Sequence, residues 1–176
     1  VQMAMWVAVP AMLVQAGLAK GLHWQVYLPA LVLSILAMGG LFAMERRGRL
    51  RAALLLSIAL IVAVQAALAL LVASGFHPSI LGLGALLFVF FCGFNMLEAT
   101  QPSLVSRMAP ASLRGAALGA YNTLQSLGLF AGGALGGALA QWAGTGGLFA
   151  ATTVLAALWL WITWPLRPVA RSSGGH

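Results

Sequence analysis

Glu98 carries the chemistry that most needs explaining. It is one of two acidic side chains in a chain of 176 residues, and it sits in FVFFCGFNMLEATQPSLVSRMAP, a run that begins as lipid-compatible sequence. A lone carboxylate in a membrane helix marks a proton relay, a substrate contact or half of an ion pair, because an unpaired charge at the bilayer centre costs roughly 2.5 to 3.5 kcal/mol on insertion scales. Its position near the break that holds Arg107, with Arg114 opening the next apolar run, favours the ion pair. Glu98 and Arg114 would then form a latch at one end of the helix, broken and re-formed as that side opens. Arg46 and Arg49, in the break MERRGRLRAAL, are further counter-charges for it.

Other reactive groups are sparse. His23 and His77 fall in polar breaks and His176 in the tail, so no serine, Ser74 included, has a buried base, and an intramembrane hydrolase is not expected. No His, Cys and carboxylate set has metal-ligand spacing, so no metal site and no cofactor are expected. Cys92, the single cysteine, reads as packing.

The elements that must position Glu98 are apolar helices. Hydrophobic residues make up 62% of the chain, charged residues 6%, and mean hydropathy is +1.00, which leaves too little polar surface to clothe a water-soluble domain. A hydrocarbon core of roughly 30 Å asks for about 20 apolar residues per helix. Six stretches satisfy it, near 2–19, 26–44, 52–74, 79–100, 115–141 and 147–166, giving an all-α polytopic bundle over 1–166 and a basic tail over 167–176. Eight of the nine Lys and Arg lie in the second, fourth and last breaks, which puts those breaks and both termini of the segment in the cytoplasm. The net charge of +7 is then topological and implies no nucleic-acid partner. Residue 1 is Val and apolar sequence begins at once, so the chain reads as a fragment.

The spans differ. Span three is apolar all round except Gln65, and span six carries only Thr152, Thr153 and Thr163, so both read as outer helices. Trp159, Trp161 and Trp164 form an interfacial belt. Spans four and five hold the polar and glycine content. On span five Arg114, Leu118, Tyr121, Gln125, Gly132 and Gly136 share a stripe. Gly128, Gly132 and Gly136 recur every four residues, with Gly133 and Gly137 widening a smooth ridge for helix packing, or for sliding in a protein that changes conformation.

These residues resemble the major facilitator superfamily of transporters. Gly128, Gly132, Gly136 and Gly137 stand in the register of its antiporter motif Gly-x-x-x-Gly-Pro-x-x-Gly-Gly, with Gly133 in place of proline. Glu45-Arg46-Arg47-Gly48-Arg49 is similar to the loop signature Asp-Arg-x-Gly-Arg. The changed residues, and Gly40 one position early, suggest the C-terminal half, where both motifs recur in degenerate form. HWQVYLPA, FNMLEATQPSLVSRMAP and RGAALGAYNTLQSLGLFAGGALGG look like spans seven to twelve of the YajR-type subgroup in the bacterial inner membrane, a type that adds a soluble C-terminal domain.

The resemblance implies a twelve-helix carrier of which this chain is one six-helix half. Its partners would be the lipid bilayer, an N-terminal six-helix half and a small-molecule substrate held between the halves. It implies efflux of a small, lipophilic compound by alternating access, driven by a proton gradient, with the coupling carboxylate in the other half. Trp6, Phe91, Asn95, Tyr121 and Gln125 are the expected wall of the substrate cavity, with Asn95 and Gln125 equally readable as interhelical hydrogen-bonding groups. A self-contained six-span homodimer, carrier or channel, is the alternative.

Overall fold

The computed structural model describes residues 1–47 and 49–165, without the side chains at 41, 42 and 44–46. Gly48, the Arg46 side chain and the tail with Arg167 and Arg171 therefore lie outside the described residues. Among those described there is no strand. Five α-helices follow in order: α1 (Gln2–Gln15), α2 (Trp24–Arg46), α3 (Leu50–Ala73), α4 (Ile80–Met108) and α5 (Arg114–Thr163). Four stretches, 20–40, 50–73, 80–108 and 111–163, are long and apolar enough to cross a membrane, and α1 is a shorter apolar helix.

Three boundaries differ from those the sequence suggests. The first span stops at Gln15 instead of reaching residue 19, because Gly17 adopts a φ of 93° and Leu18 N–H returns to the Leu13 carbonyl at 2.9 Å, closing the helix. The fourth runs to Met108 instead of stopping near 100. Its polar residues bond their own helix: Thr100 Oγ1 donates to the Met96 carbonyl at 2.7 Å and Ser106 Oγ to the Ser103 carbonyl at 2.9 Å. Pro102 is carried inside the same helix.

The third difference is in α5, which is helical from 114 to 163 but interrupted at Gly144, with φ 68° and ψ −177°. An unbroken helix of 50 residues would be about 75 Å long. Instead the two arms turn on each other: a Cβ placed on Gly136 would stand 3.8 Å from Leu148 Cδ1, whereas twelve residues of straight helix separate their ends by about 18 Å.

The distal arm pairs antiparallel with α3. Gly146 lies against Val72, Thr152 meets Gln65, and Arg51 Nη2 reaches the Trp164 carbonyl at 2.5 Å. The last contact puts the end of α5 beside the start of α3. α4 is the other centre of the bundle, packed on α2, on α3 and on the proximal arm, while α1 lies along α5. Leu13, Ile58, Leu68, Leu83, Phe90 and Phe149 are fully buried between these helices. α3 keeps Leu56, Ala63 and Leu70 exposed at seven-residue spacing, an apolar stripe suited to lipid.

Gln65 is fully buried, accepts from Thr152 Oγ1 at 2.8 Å, and its Nε2 has no partner among the described residues. Thr152→Val alone strips the amide of this donor and should destabilise by about 1 to 3 kcal/mol, whereas Gln65→Leu combined with Thr152→Val should be nearly neutral. Thermal unfolding of the three purified proteins checks the contrast.

Candidate functional site

The site is built on one face of α4. Phe91, Phe94, Asn95, Glu98 and Gln101 recur at helical spacing and occupy a stripe of about 120°. The opposite face, with Gly93, Met96 and Thr100, is buried. A Cβ on Gly93 would stand 2.7 Å from the Ser57 carbonyl oxygen, so α3 and α4 touch backbone to backbone and the polar stripe is forced to the other side.

At the start of the stripe is a cleft of about 380 Å³ between α1, α2 and α4, lined by Trp6, Trp24, Tyr27, Phe91, Phe94 and Asn95 among others. Trp6 stacks on Tyr27 with ring centroids 5.5 Å apart and planes 11° from parallel. Trp6 is 48% and Trp24 57% exposed, so the rings form an open wall. Asn95 Nδ2 donates to Ser34 Oγ at 2.9 Å, and Ser34 in turn donates to the Leu31 carbonyl at 2.7 Å. That bridge ties α4 to α2 beneath the rings. The Tyr27 hydroxyl is buried and has no hydrogen-bond partner among the described residues.

Further along the stripe α4 meets the proximal arm of α5. Gln125 Nε2 donates to Glu98 Oε1 at 2.7 Å, and the Tyr121 hydroxyl donates to Gln101 Oε1 at 3.0 Å. Glu98 is exposed. It lies ten residues before the end of α4 and Gln125 eleven residues after the start of α5, so the pair is about 15 Å from the α4–α5 connection.

This depth corrects the latch. Among the described residues Glu98 is bonded to the neutral amide of Gln125 and not to Arg114 or Arg49, both of which are exposed at helix starts. With α4 continuing to Met108, Glu98 is separated from Arg114 by roughly three helical turns. The Arg46 side chain lies outside the described residues.

The five expected cavity residues fall into two groups. Trp6, Phe91 and Asn95 share the cleft; Tyr121 and Gln125 do not line it but cap the same α4 stripe farther along. Trp24, Tyr27 and Gln101 complete the surface, with Ser34 buried beneath it, and were not singled out from the sequence. The i, i+3 aromatic pair Trp24 and Tyr27 at the head of α2 was the available signal. The glycines also divide. A Cβ on Gly132 or Gly133 would meet Met3 of α1 at 3.5 and 3.4 Å, Gly136 faces Leu148, and Gly128 and Gly137 face open space. They form a seat for α1 and for the fold-back of α5, with two positions left open.

No established family profile matches the chain. A comparison with curated proteins finds a relative. The chain is similar to a transport protein. Over 162 residues it is 33% identical to the inner membrane transport protein YajR of Escherichia coli (strain K12), an alignment that takes in 90% of this chain and 34% of that relative. The chain thus spans about a third of the length of the curated protein it matches.

Proposed function

We propose that the chain is the C-terminal half of a twelve-helix secondary transporter of the major facilitator type and supplies one wall of its substrate cavity. The observation that carries this reading is the exposure of Glu98 deep in α4. A charged group facing lipid near mid-membrane is penalised by roughly 2.5 to 3.5 kcal/mol, so the Glu98 face belongs against water and a second body. Similarity to an inner membrane transport protein supports the same reading. Counting α1 and the two arms of α5 separately gives six helices among the described residues, the number one half requires, while four stretches are long and apolar enough to cross a membrane. The described Arg47, Arg49, Arg51, Arg107 and Arg114 gather at one end, the cytoplasmic one in this reading, and Lys20 at the other. The membrane is the bacterial inner membrane.

The missing wall is an N-terminal six-helix half that rocks against this one, exporting a small lipophilic compound in exchange for protons. A coupling carboxylate in that other half remains part of the proposal. Glu98 adds a second acidic group at cavity depth.

Water access tests the reading. In the full gene product with Cys92→Ala, cysteines placed at Asn95 and at Gln125 should react readily with a water-borne thiol reagent, while one at Ala63 on the apolar stripe of α3 should stay unmodified, since only a hydrated thiol ionises and reacts. Unreactive cysteines at 95 and 125 would mean that the face is sealed by protein or lipid, and the cavity reading would fail.

A further inference from the structure

The start of α3 and the end of α5 meet at one edge of the membrane and carry positive charge that the chain does not balance. Arg47, Arg49 and Arg51 are all exposed. Arginine is disfavoured at the start of a helix, where the dipole is already positive, and the first turn of α3 holds no acidic residue. Arg51 is offset in part, because its Nη2 donates to the Trp164 carbonyl at the negative end of α5. The Glu45 side chain lies outside the described residues, and full pairing with it would still leave two of the three charges unmatched.

Apolar surface continues directly from these charges. Arg49 precedes Leu56, Ala63 and Leu70 by the same seven-residue step, so it stands at the head of the exposed stripe of α3. The distal arm of α5 turns out a second stripe, Ala151, Leu155, Leu158 and Ile162. Trp161 and Trp164 are exposed toward its end, and indole rings favour the headgroup level. Leucines, then tryptophans, then arginines follow the layers of a phospholipid from acyl chain to phosphate. An orientation signal needs only that the arginines stay on one side. It does not need one at the head of a lipid-facing stripe and another bonded across to the neighbouring helix. A soluble anion would satisfy the arginines alone, and a zwitterionic lipid would bring as much positive charge as negative. A lipid with net negative charge satisfies the arginines, the rings and the stripes together.

We infer that the paired ends of α3 and α5 bind an anionic phospholipid, its phosphate between Arg49 and Arg51 and its chains along the two apolar stripes. The site is separate from the aromatic cleft, which no residue of α3 or α5 lines. It depends on the chain spanning a bilayer and not on what is transported.

Quenching by brominated lipids tests it in the full-length protein with Cys92→Ala. One fluorophore is attached at Leu158→Cys on the α5 stripe and a reference at Leu81→Cys, exposed near the start of α4 at the opposite end of the bundle. The vesicles hold phosphatidylcholine with a rising fraction of phosphatidylglycerol whose chains carry bromine. An arginine beside an anionic lipid is worth about fivefold in association, so two should enrich phosphatidylglycerol about thirtyfold at residue 158 relative to residue 81. Arg49→Gln, which leaves the Arg51–Trp164 contact in place, should cut the enrichment about fivefold. Arg49→Gln with Arg51→Gln should abolish it, and Arg49→Lys should retain it. Excess inorganic phosphate should leave it unchanged, because phosphate has no chains to bury. Equal quenching at the two positions, enrichment unaffected by Arg49→Gln, or its loss on adding phosphate would each overturn the inference, and none of these results bears on the cavity reading.

Discussion

Gly93→Leu is expected to abolish assembly of the bundle. A Cβ at position 93 would lie 2.7 Å from the backbone oxygen of Ser57, 3.2 Å from Ile61 Cγ1 and 3.3 Å from Leu60 Cβ. The first neighbour is main chain in the middle of α3 and cannot swing aside. Ser57 Oγ is itself tied to the Ala53 carbonyl at 2.8 Å, which keeps this part of α3 flat and fully buried. Overpacking a tight core by a single group costs about 1 to 3 kcal/mol, so Gly93→Ala should already lower thermal stability by that amount. Leucine adds three further carbons and should prevent α3 and α4 from closing, since close backbone approach is what associates helices in lipid. The readout is the yield of monodisperse protein in detergent and its melting temperature. A leucine variant of normal yield would mean that α3 and α4 do not touch at this point.

Gly144→Val should be of similar severity by a different route. At φ 68° and ψ −177° Gly144 occupies backbone space that is nearly closed to residues with a Cβ, and a β-branched side chain there costs about 1 to 3 kcal/mol or straightens the helix. Straightening separates the two arms of α5 and with them the pairing of the distal arm on α3, from Gly146 and Val72 to Trp164 and Arg51. Spectroscopic labels at 136 and 148, adjacent in the folded chain, report the change as a distance moving toward about 18 Å. Gly137→Ala is the control, because nothing lies within 4 Å of that site and alanine favours helix by up to about 1 kcal/mol over glycine. Equal damage from the two substitutions would mean that the turn at Gly144 is not the cause.

Much of the architecture was readable in the chain because lipid imposes a simple rule: apolar runs of about 20 residues become helices. Helical spacing puts Phe91 and Asn95 on one face of α4, but that Trp6 of α1 and Tyr27 of α2 stand beside them follows only from how the helices pack. Glu98 was located correctly along the sequence but not in depth. Glu98-Ala-Thr-Gln-Pro-Ser reads as the polar end of a span, and only the folded chain reveals that Thr100 and Ser106 spend their hydroxyls on helix carbonyls and let α4 run on to Met108. That extension exchanges an arginine partner for Gln125. The burial of Gln65, noted in the sequence only as the polar exception of an outer helix, was hidden for the complementary reason. A single amide in a leucine-rich span carries no periodic signal, and its burial against Thr152 depends on how α5 folds back at Gly144.

The account stands on the face that bears Asn95, Glu98 and Gln125 being a cavity wall reached in turn from both sides of the membrane. The most direct measurement is labelling of Asn95→Cys, in the full gene product with Cys92→Ala, by an impermeant thiol reagent applied to right-side-out and then to inside-out vesicles. The account predicts modification from each side, with a condition that raises one rate lowering the other, as a two-state alternation requires. Modification from one side only, under every condition, would make this face a fixed pocket and contradict transport by alternating access.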